Sequence, residues 1–211
     1  MKIELPTKEE CYNLLKEYHV PRNVVAHSEN VAKVSIFLAK KLKDKGQDVN
    51  IELVERAALL HDLVRICDFK SFEKDHFKDF GFEITDDEYE EMKKVREKFI
   101  DQHHAEACFD ILKEQYPELA LVIKKHRYIY IMSKNDKPKT WEEKIVYYAD
   151  KRVKHDEIVS LKDRLDDGEK RNHHMAEKDS ERRAKLRNLN FELEKEIFNI
   201  IEINPEALNN L

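Results

Sequence analysis

Ten histidines and seventeen aspartates are spread over the 211 residues, and chance alone supplies about 0.8 His-Asp dipeptides in such a chain. There are two, and their neighbourhoods separate them. His155-Asp156 follows Lys151, Arg152 and Lys154, the surroundings of a solvated helix face. His61-Asp62 instead ends the apolar run Ala57-Ala58-Leu59-Leu60. A carboxylate carried into such a low-dielectric setting costs several kcal/mol unless it is paired or bound to a metal. Asp62 therefore calls for a cation.

Other histidines pass the same test of position. His27 falls between Val24 and Val31, His104 precedes Cys108, Ile111 and Leu112, and His126 follows Leu119, Val122 and Ile123, all at helical spacing. Asp150 stands four after Val146 and three before Val153, so a second carboxylate points inward. His103 competes with His104, but successive helical residues diverge by about 100°, which turns it off the Cys108 stripe. A lone histidine on an apolar face is more often a hydrogen-bonded core residue than a ligand. Four imidazoles and two carboxylates converging from five helices are another matter: His27, His61, Asp62, His104, His126 and Asp150 make the nitrogen and oxygen shell of one or two divalent transition metals, Fe, Mn, Co or Zn. With His61 turned to one ion, Asp62 can bridge between two.

These residues need helices to hold them, and the composition provides little else. Charged residues make up 39% and hydrophobic ones 41%, with 39 Lys+Arg against 44 Asp+Glu and only three glycines. Gly46, Gly81 and Gly168 lie too far apart for a phosphate-cradling loop, and strand-rich folds need more turn residues than these. The fold class is all-α, a compact bundle with a long C-terminal helix. Helices are expected from Thr7 to Tyr18, from Pro21 to Gly46, after Asn50, near Thr85, over about 101–115, 117–127 and 140–165, and beyond Gly168. The catalytic domain spans 1–165, with a Phe-rich insertion or cap at about 65–100; residues 166–211 form a helical extension packed on it. The three cysteines, Cys11, Cys67 and Cys108, fit free thiols in a reducing compartment. The opening MKIELPTKEE is too charged for a secretory signal and no run of about 18 apolar residues occurs, so a cytoplasmic location without membrane contact is expected.

The order His27, His61-Asp62, Asp150 resembles the HD-domain metal-dependent phosphohydrolase superfamily, over roughly residues 20–165 and through the segments HSENVAKVSIFLAKKL, ERAALLHDLVRI, HHAEACFDIL, IKKH and WEEKIVYYADKRV. His104 and His126 sit where two-metal members carry further histidines, so the resemblance implies a dinuclear site in an all-α fold. Many relatives follow His-Asp with Ile-Gly-Lys or Ile-Ala-Lys; this chain has Leu63-Val64-Arg65. Arg65 would give a planar, bidentate phosphate contact, and Lys151 a further one, with Lys125 and Arg127 as less specific candidates. The expected function is hydrolysis of a phosphate ester or phosphoanhydride of a nucleotide, with Asp62 bridging and accepting the proton of the attacking water. The alternative is a metal-bound nucleotide sensor or scaffold without turnover. Nucleic-acid attachment through the basic stretch 170–187 is disfavoured, because Glu177, Asp179 and Glu181 interrupt its charge.

Overall fold

A computed structural model describes residues 3–171 and 180–211. Thr7 opens α1 (Lys8–Glu17) with a capping box closed by Glu10, and the chain turns through His19 into the long α2 (Arg22–Asp44), ended at Gly46. Asn50 caps α3 (Ile51–Leu60) by accepting from Leu53 N–H. A short 3₁₀ turn over Arg65–Asp68 and another over Lys74–Phe80 lead to α4 (Asp86–Phe99), which Thr85 and Glu88 cap reciprocally. Then come α5 (His104–Leu112), α6 (Pro117–Lys124, opened by its proline) and, from the Thr140 capping box, α7 (Trp141–Asp150).

The chain departs from the sequence expectation beyond Asp150. A single helix over 140–165 is not formed; α7 stops at Asp150 and a two-stranded hairpin follows, β1 (Val153–Lys154) paired antiparallel with β2 (Glu157–Ile158). His155-Asp156 is the hairpin tip and not a helix face, and His155 takes φ +54 there. Gly168, beyond which the final helix was expected, lies within α8 (Leu161–Arg171), inside which the expected helix end at 165 also falls. The last helix is α9 (Ser180–Ile201), followed by a 3₁₀ turn over Pro205–Asn210. Part of the basic stretch 170–187 lies outside the described residues. Of the rest, Arg171 pairs with Asp167 at 2.8 Å, and Arg187 with Asp166 at 2.7 Å and Glu169 at 3.2 Å, all acids of α8.

The main core runs from Cys11 and Leu15 through Val31, Leu38 and Leu42 of α2, Leu53 to Leu60 of α3, and Ile145 to Ala149 of α7. Leu186, Leu193, Ile197, Phe198 and Ile201 of α9 are buried in the same core, so the extension packs on it. The Phe-rich insertion has a small core of its own: Ile66, Phe77, Ile84 and Met92, with Phe69, Phe72 and Phe82 against it. Among the described residues no helix is long and apolar enough to cross a membrane.

Candidate metal centre

All six expected ligands meet at one place, delivered mainly by helix ends. His27 comes from the body of α2; His61 follows the last residue of α3, with Asp62 next to it; His104 starts α5; Asp150 finishes α7. His126 was expected on the stripe of α6, but it lies in the turn just beyond that helix. Its inward position survives because the turn folds its ring back over the helix end. His61, Asp62, His104, His126 and Asp150 are each at most 9% exposed, and the His27 side chain is 12% exposed.

A single pattern fixes all four rings. His61 Nδ1 donates to Ala58 O at 2.8 Å and His126 Nδ1 to Ile123 O at 2.5 Å, each reaching three residues back to a carbonyl in the last turn of the preceding helix. His27 Nδ1 donates to His155 O at 2.8 Å, and His104 Nδ1 to Asp68 Oδ2 at 2.7 Å. With every Nδ1 proton committed to an oxygen, every Nε2 is left as the bare nitrogen, the tautomer a metal-ligating imidazole needs.

The four Nε2 atoms face the two carboxylates. His27 Nε2 lies 3.1 Å from Asp150 Oδ1 and His61 Nε2 lies 3.8 Å from the same oxygen. Asp62 faces both ways: Oδ2 is 3.7 Å from His61 Nε2, while Oδ1 is 3.1 Å from His104 Nε2 and 3.7 Å from His126 Nε2. The ligand atoms thus divide into a half of His27, His61 and Asp150 and a half of His104 and His126, with Asp62 spanning them.

This donor set fits divalent cations on two observations. His61 Nε2 is fully buried and has no hydrogen-bond partner, a cost of roughly 1–3 kcal/mol for a polar atom left unsatisfied. Potential ligand atoms of His27, His61 and Asp150, and of His61, Asp62 and His126, lie within 4.8 Å of one another in each group. Imidazole nitrogens mixed with carboxylate oxygens suit Zn, Fe, Mn or Co.

Electrostatics set the charge states of the shell. Burial alone would raise the Asp62 carboxyl, but His61, His104 and Arg65 hold it well below the usual carboxylate range. Burial likewise opposes ionisation of Asp150, which the Lys151 ammonium first, and then the neighbouring His27 and His61 rings, bring well down. Burial pushes His104 down to about 4 and His126 well below its ordinary value. For His61, burial acts downward, yet Asp62 and Asp150 carry it up. The centre thus sets two anionic carboxylates, Asp62 and Asp150, beside His104 and His126 rings that burial keeps neutral.

Asp68 was missed by sequence reasoning. Its Oδ1 is paired with Arg65 Nη1, and its Oδ2 accepts from both Nδ1 and the backbone N–H of His104. A carboxylate six residues beyond Asp62, in a turn with no periodicity, carries no wheel signal; only the contact across to α5 reveals it. Of the two adjacent histidines, His104 is the one turned to the centre, and His103 caps α5.

The expected phosphate contacts fare differently. Arg65 stands at the edge of the centre, 33% exposed in its side chain, with Nε 3.8 Å from Asp62 Oδ2. Lys151 is a correction: it is buried, its ammonium binds Asp150 Oδ2 and donates to His126 O at 2.8 Å, and it closes over the Tyr147 ring. A cation so engaged orients Asp150 and the His126 turn. Lys125 pairs at 2.7 Å with the buried Glu143, whereas Arg127 lies 3.6 Å from Glu106.

Among known proteins, the HD domain family matches residues 24–166, which include every residue of the cluster. A tRNA (cytidine(56)-2'-O)-methyltransferase of Picrophilus torridus is 28% identical over 82% of this chain and 43% of its own length. An uncharacterized protein of Methanocaldococcus jannaschii is 29% identical over 72% of this chain and 81% of its own. The chain therefore spans less than half of the methyltransferase it matches. No solved structure matches the chain. With the family's extent covering well over half of the sequence and the helical cluster within it, the chain belongs to the HD domain family.

Proposed function

We propose that the protein is a metal-dependent phosphohydrolase acting on a phosphate ester or phosphoanhydride of a nucleotide. The observation that carries this reading is the division of Asp62, one oxygen toward His61 and the other toward His104 and His126, between two sets of bare Nε2 atoms. His27, His61, Asp62 and Asp150 would hold one ion and His104, His126 and Asp62 a second. Such ions supply a lowered pKa for water and neutralise charge developing on a phosphoryl group.

The chain's own residues do the rest. Asp150 is held at Oδ2 by Lys151 and turns Oδ1 toward His27 Nε2, so it serves to hold. Asp62 is the carboxylate assigned to receive the proton of the attacking water, since its oxygens face both halves of the shell. Arg65, partly exposed and planar, is placed to contact the phosphate. The fixed Nδ1 bonds keep the rings from turning as charge moves, so little reorganisation is required.

The likeness to a methyltransferase adds no methyl-transfer reading, because a cluster of imidazoles and carboxylates is equipment for holding cations. Purified protein loaded with Mn, Fe, Co or Zn, assayed against nucleoside monophosphates, dinucleoside polyphosphates, cyclic nucleotides and guanosine polyphosphates, tests the proposal. Turnover that Asp62→Ala abolishes supports it. Binding without turnover across the panel assigns the protein to nucleotide sensing instead.

A further inference from the structure

His103 is an unusual helix cap. Its Nδ1 accepts the Ala105 N–H at 3.2 Å at the start of α5, a task that Ser, Thr, Asp or Asn performs with a smaller side chain. The imidazole brings something further. Because Nδ1 is the acceptor, the proton of the neutral ring sits on Nε2, the opposite tautomer from the four histidines of the centre. The ring stacks on His104 at 4.3 Å between centroids and 30° between planes, so it lies directly beside the half of the site formed by His104 and His126. Potential ligand atoms of His103, His104 and Asp68 fall within 4.8 Å of one another. Among the described residues its Nε2 meets no protein acceptor, and the positive charges of Arg65 and Arg127 both act on the ring.

We propose that His103 is a substrate-binding residue whose Nε2–H donates to a non-bridging phosphoryl oxygen of the substrate, alongside Arg65. The proposal rests on the phosphohydrolase reading above. The hydrogen bonds and ion pair of Asp68 go to Arg65 and His104, not to His103. An N–H without a protein acceptor among the described residues, beside His104 and a cluster for cations, is arranged for an anion that arrives from outside.

The test uses the full chain loaded with zinc and inorganic phosphate as the probe. His103→Asn keeps an oxygen to cap Ala105 N–H but lacks the reach of Nε2. Expected are unchanged metal content and Tm, with a phosphate Kd raised about tenfold in calorimetry, the scale of one hydrogen bond to a charged group. In the wild type, the His103 Nε2 resonance shifts on phosphate addition in nitrogen-15 spectra. Equal Kd values, an unmoved resonance, or a variant that loses metal or stability would overturn the assignment and leave His103 a plain cap. Failure of the wild-type protein to bind phosphate at all would overturn this proposal together with the phosphohydrolase reading, which separates the two failures.

Discussion

His104 Nε2 and His126 Nε2 stand 3.0 Å apart, while the Nδ1 protons of both rings are committed elsewhere, to Asp68 and to the Ile123 carbonyl. Two bare nitrogens at that distance repel unless a cation or a proton lies between them. Together with Asp62 Oδ1 at 3.1 Å from His104, they form the half of the centre that would take a second ion under the proposed function. Anaerobically prepared protein should carry close to two divalent ions per chain, and His126→Ala close to one, with the half of His27, His61 and Asp150 still filled. Elemental analysis reads both values. Full occupancy in His126→Ala would show that this half is not a metal site.

Asp68 gives the same half a dependence on a residue that would touch no metal. It holds His104 Nδ1 at 2.7 Å and fixes the ring's rotation. Substituting the outer partner of a ligating histidine typically costs 10–100-fold in metal affinity. Asp68→Ala should weaken the second metal-binding step by about that factor and spare the first, as chelator competition would show. Two equally weakened steps would mean that Asp68 supports the centre as a whole.

The hairpin tip acts through its backbone. His155 O accepts from His27 Nδ1 at 2.8 Å, and Asn30 Nδ2 donates to Asp156 O at 2.8 Å, so both tip carbonyls are tied to α2. The His155 φ of +54 lies where glycine is at ease and proline, locked near −65°, cannot go. His155→Gly should keep metal affinity because the carbonyl stays in place. His155→Pro should lower it about tenfold or more by misaiming that carbonyl. The pair is compared by metal titration, and equal affinities would show that the tip does not position His27.

The sequence made the ligands legible and hid what orients them. His27, His61, Asp62, His104 and Asp150 are betrayed by apolar neighbours at helical steps, because an ionisable group among Val and Leu is costly without a partner. His126 was found by the same rule although its helix ends before it, since the turn continues the inward direction for one more residue. Lys151 misled: next to a buried aspartate, a lysine can serve that aspartate or the substrate, and only its burial against Asp150 and Tyr147 decides. The hairpin after Asp150 was missed because Val153, Ile158 and Leu161 can be fitted to a helix or to two short strands; a left-handed residue at position 155 is invisible in composition.

Acid should weaken the metal-free protein early. His104 is held at about 4 against an ordinary value of 6.5, chiefly by burial, and His126 is depressed in the same direction. For a group whose pKa is lower folded than unfolded, the unfolded chain binds more protons between the two values, so stability falls as pH drops through that window. The loss should begin near pH 6.5 and continue to about 4, below which protonation of Asp62 and Asp150 adds to it. His61 is shifted upward, so its contribution changes above 6.5 and does not offset the loss. Urea unfolding of chelator-treated protein at several pH values measures this. Stability constant from pH 7 to 4 would contradict the neutral state of the His104 and His126 rings.

Arg152 ties the centre's last helix to the C-terminal segment. It is fully buried, donating to Val159 O at 2.7 Å, Tyr148 OH at 2.7 Å, Pro205 O at 3.2 Å and Asn209 Oδ1 at 3.0 Å, with Glu194 at 3.6 Å. Removing one member of a buried charged pair leaves the other uncompensated, at about 3–5 kcal/mol. Arg152→Met should therefore lower Tm by roughly 10 °C, given a shift of about 2–4 °C per kcal/mol for a chain of this size. Arg152→Met combined with Glu194→Leu should lose less than the sum of the two single variants, because the second change removes the stranded carboxylate. Calorimetry of the four proteins closes the cycle. Additive losses would mean that Arg152 acts through its other contacts, to Val159, Pro205, Tyr148 and Asn209, and the ion pair with Glu194 would then be incidental to how the C-terminal segment is held against α7.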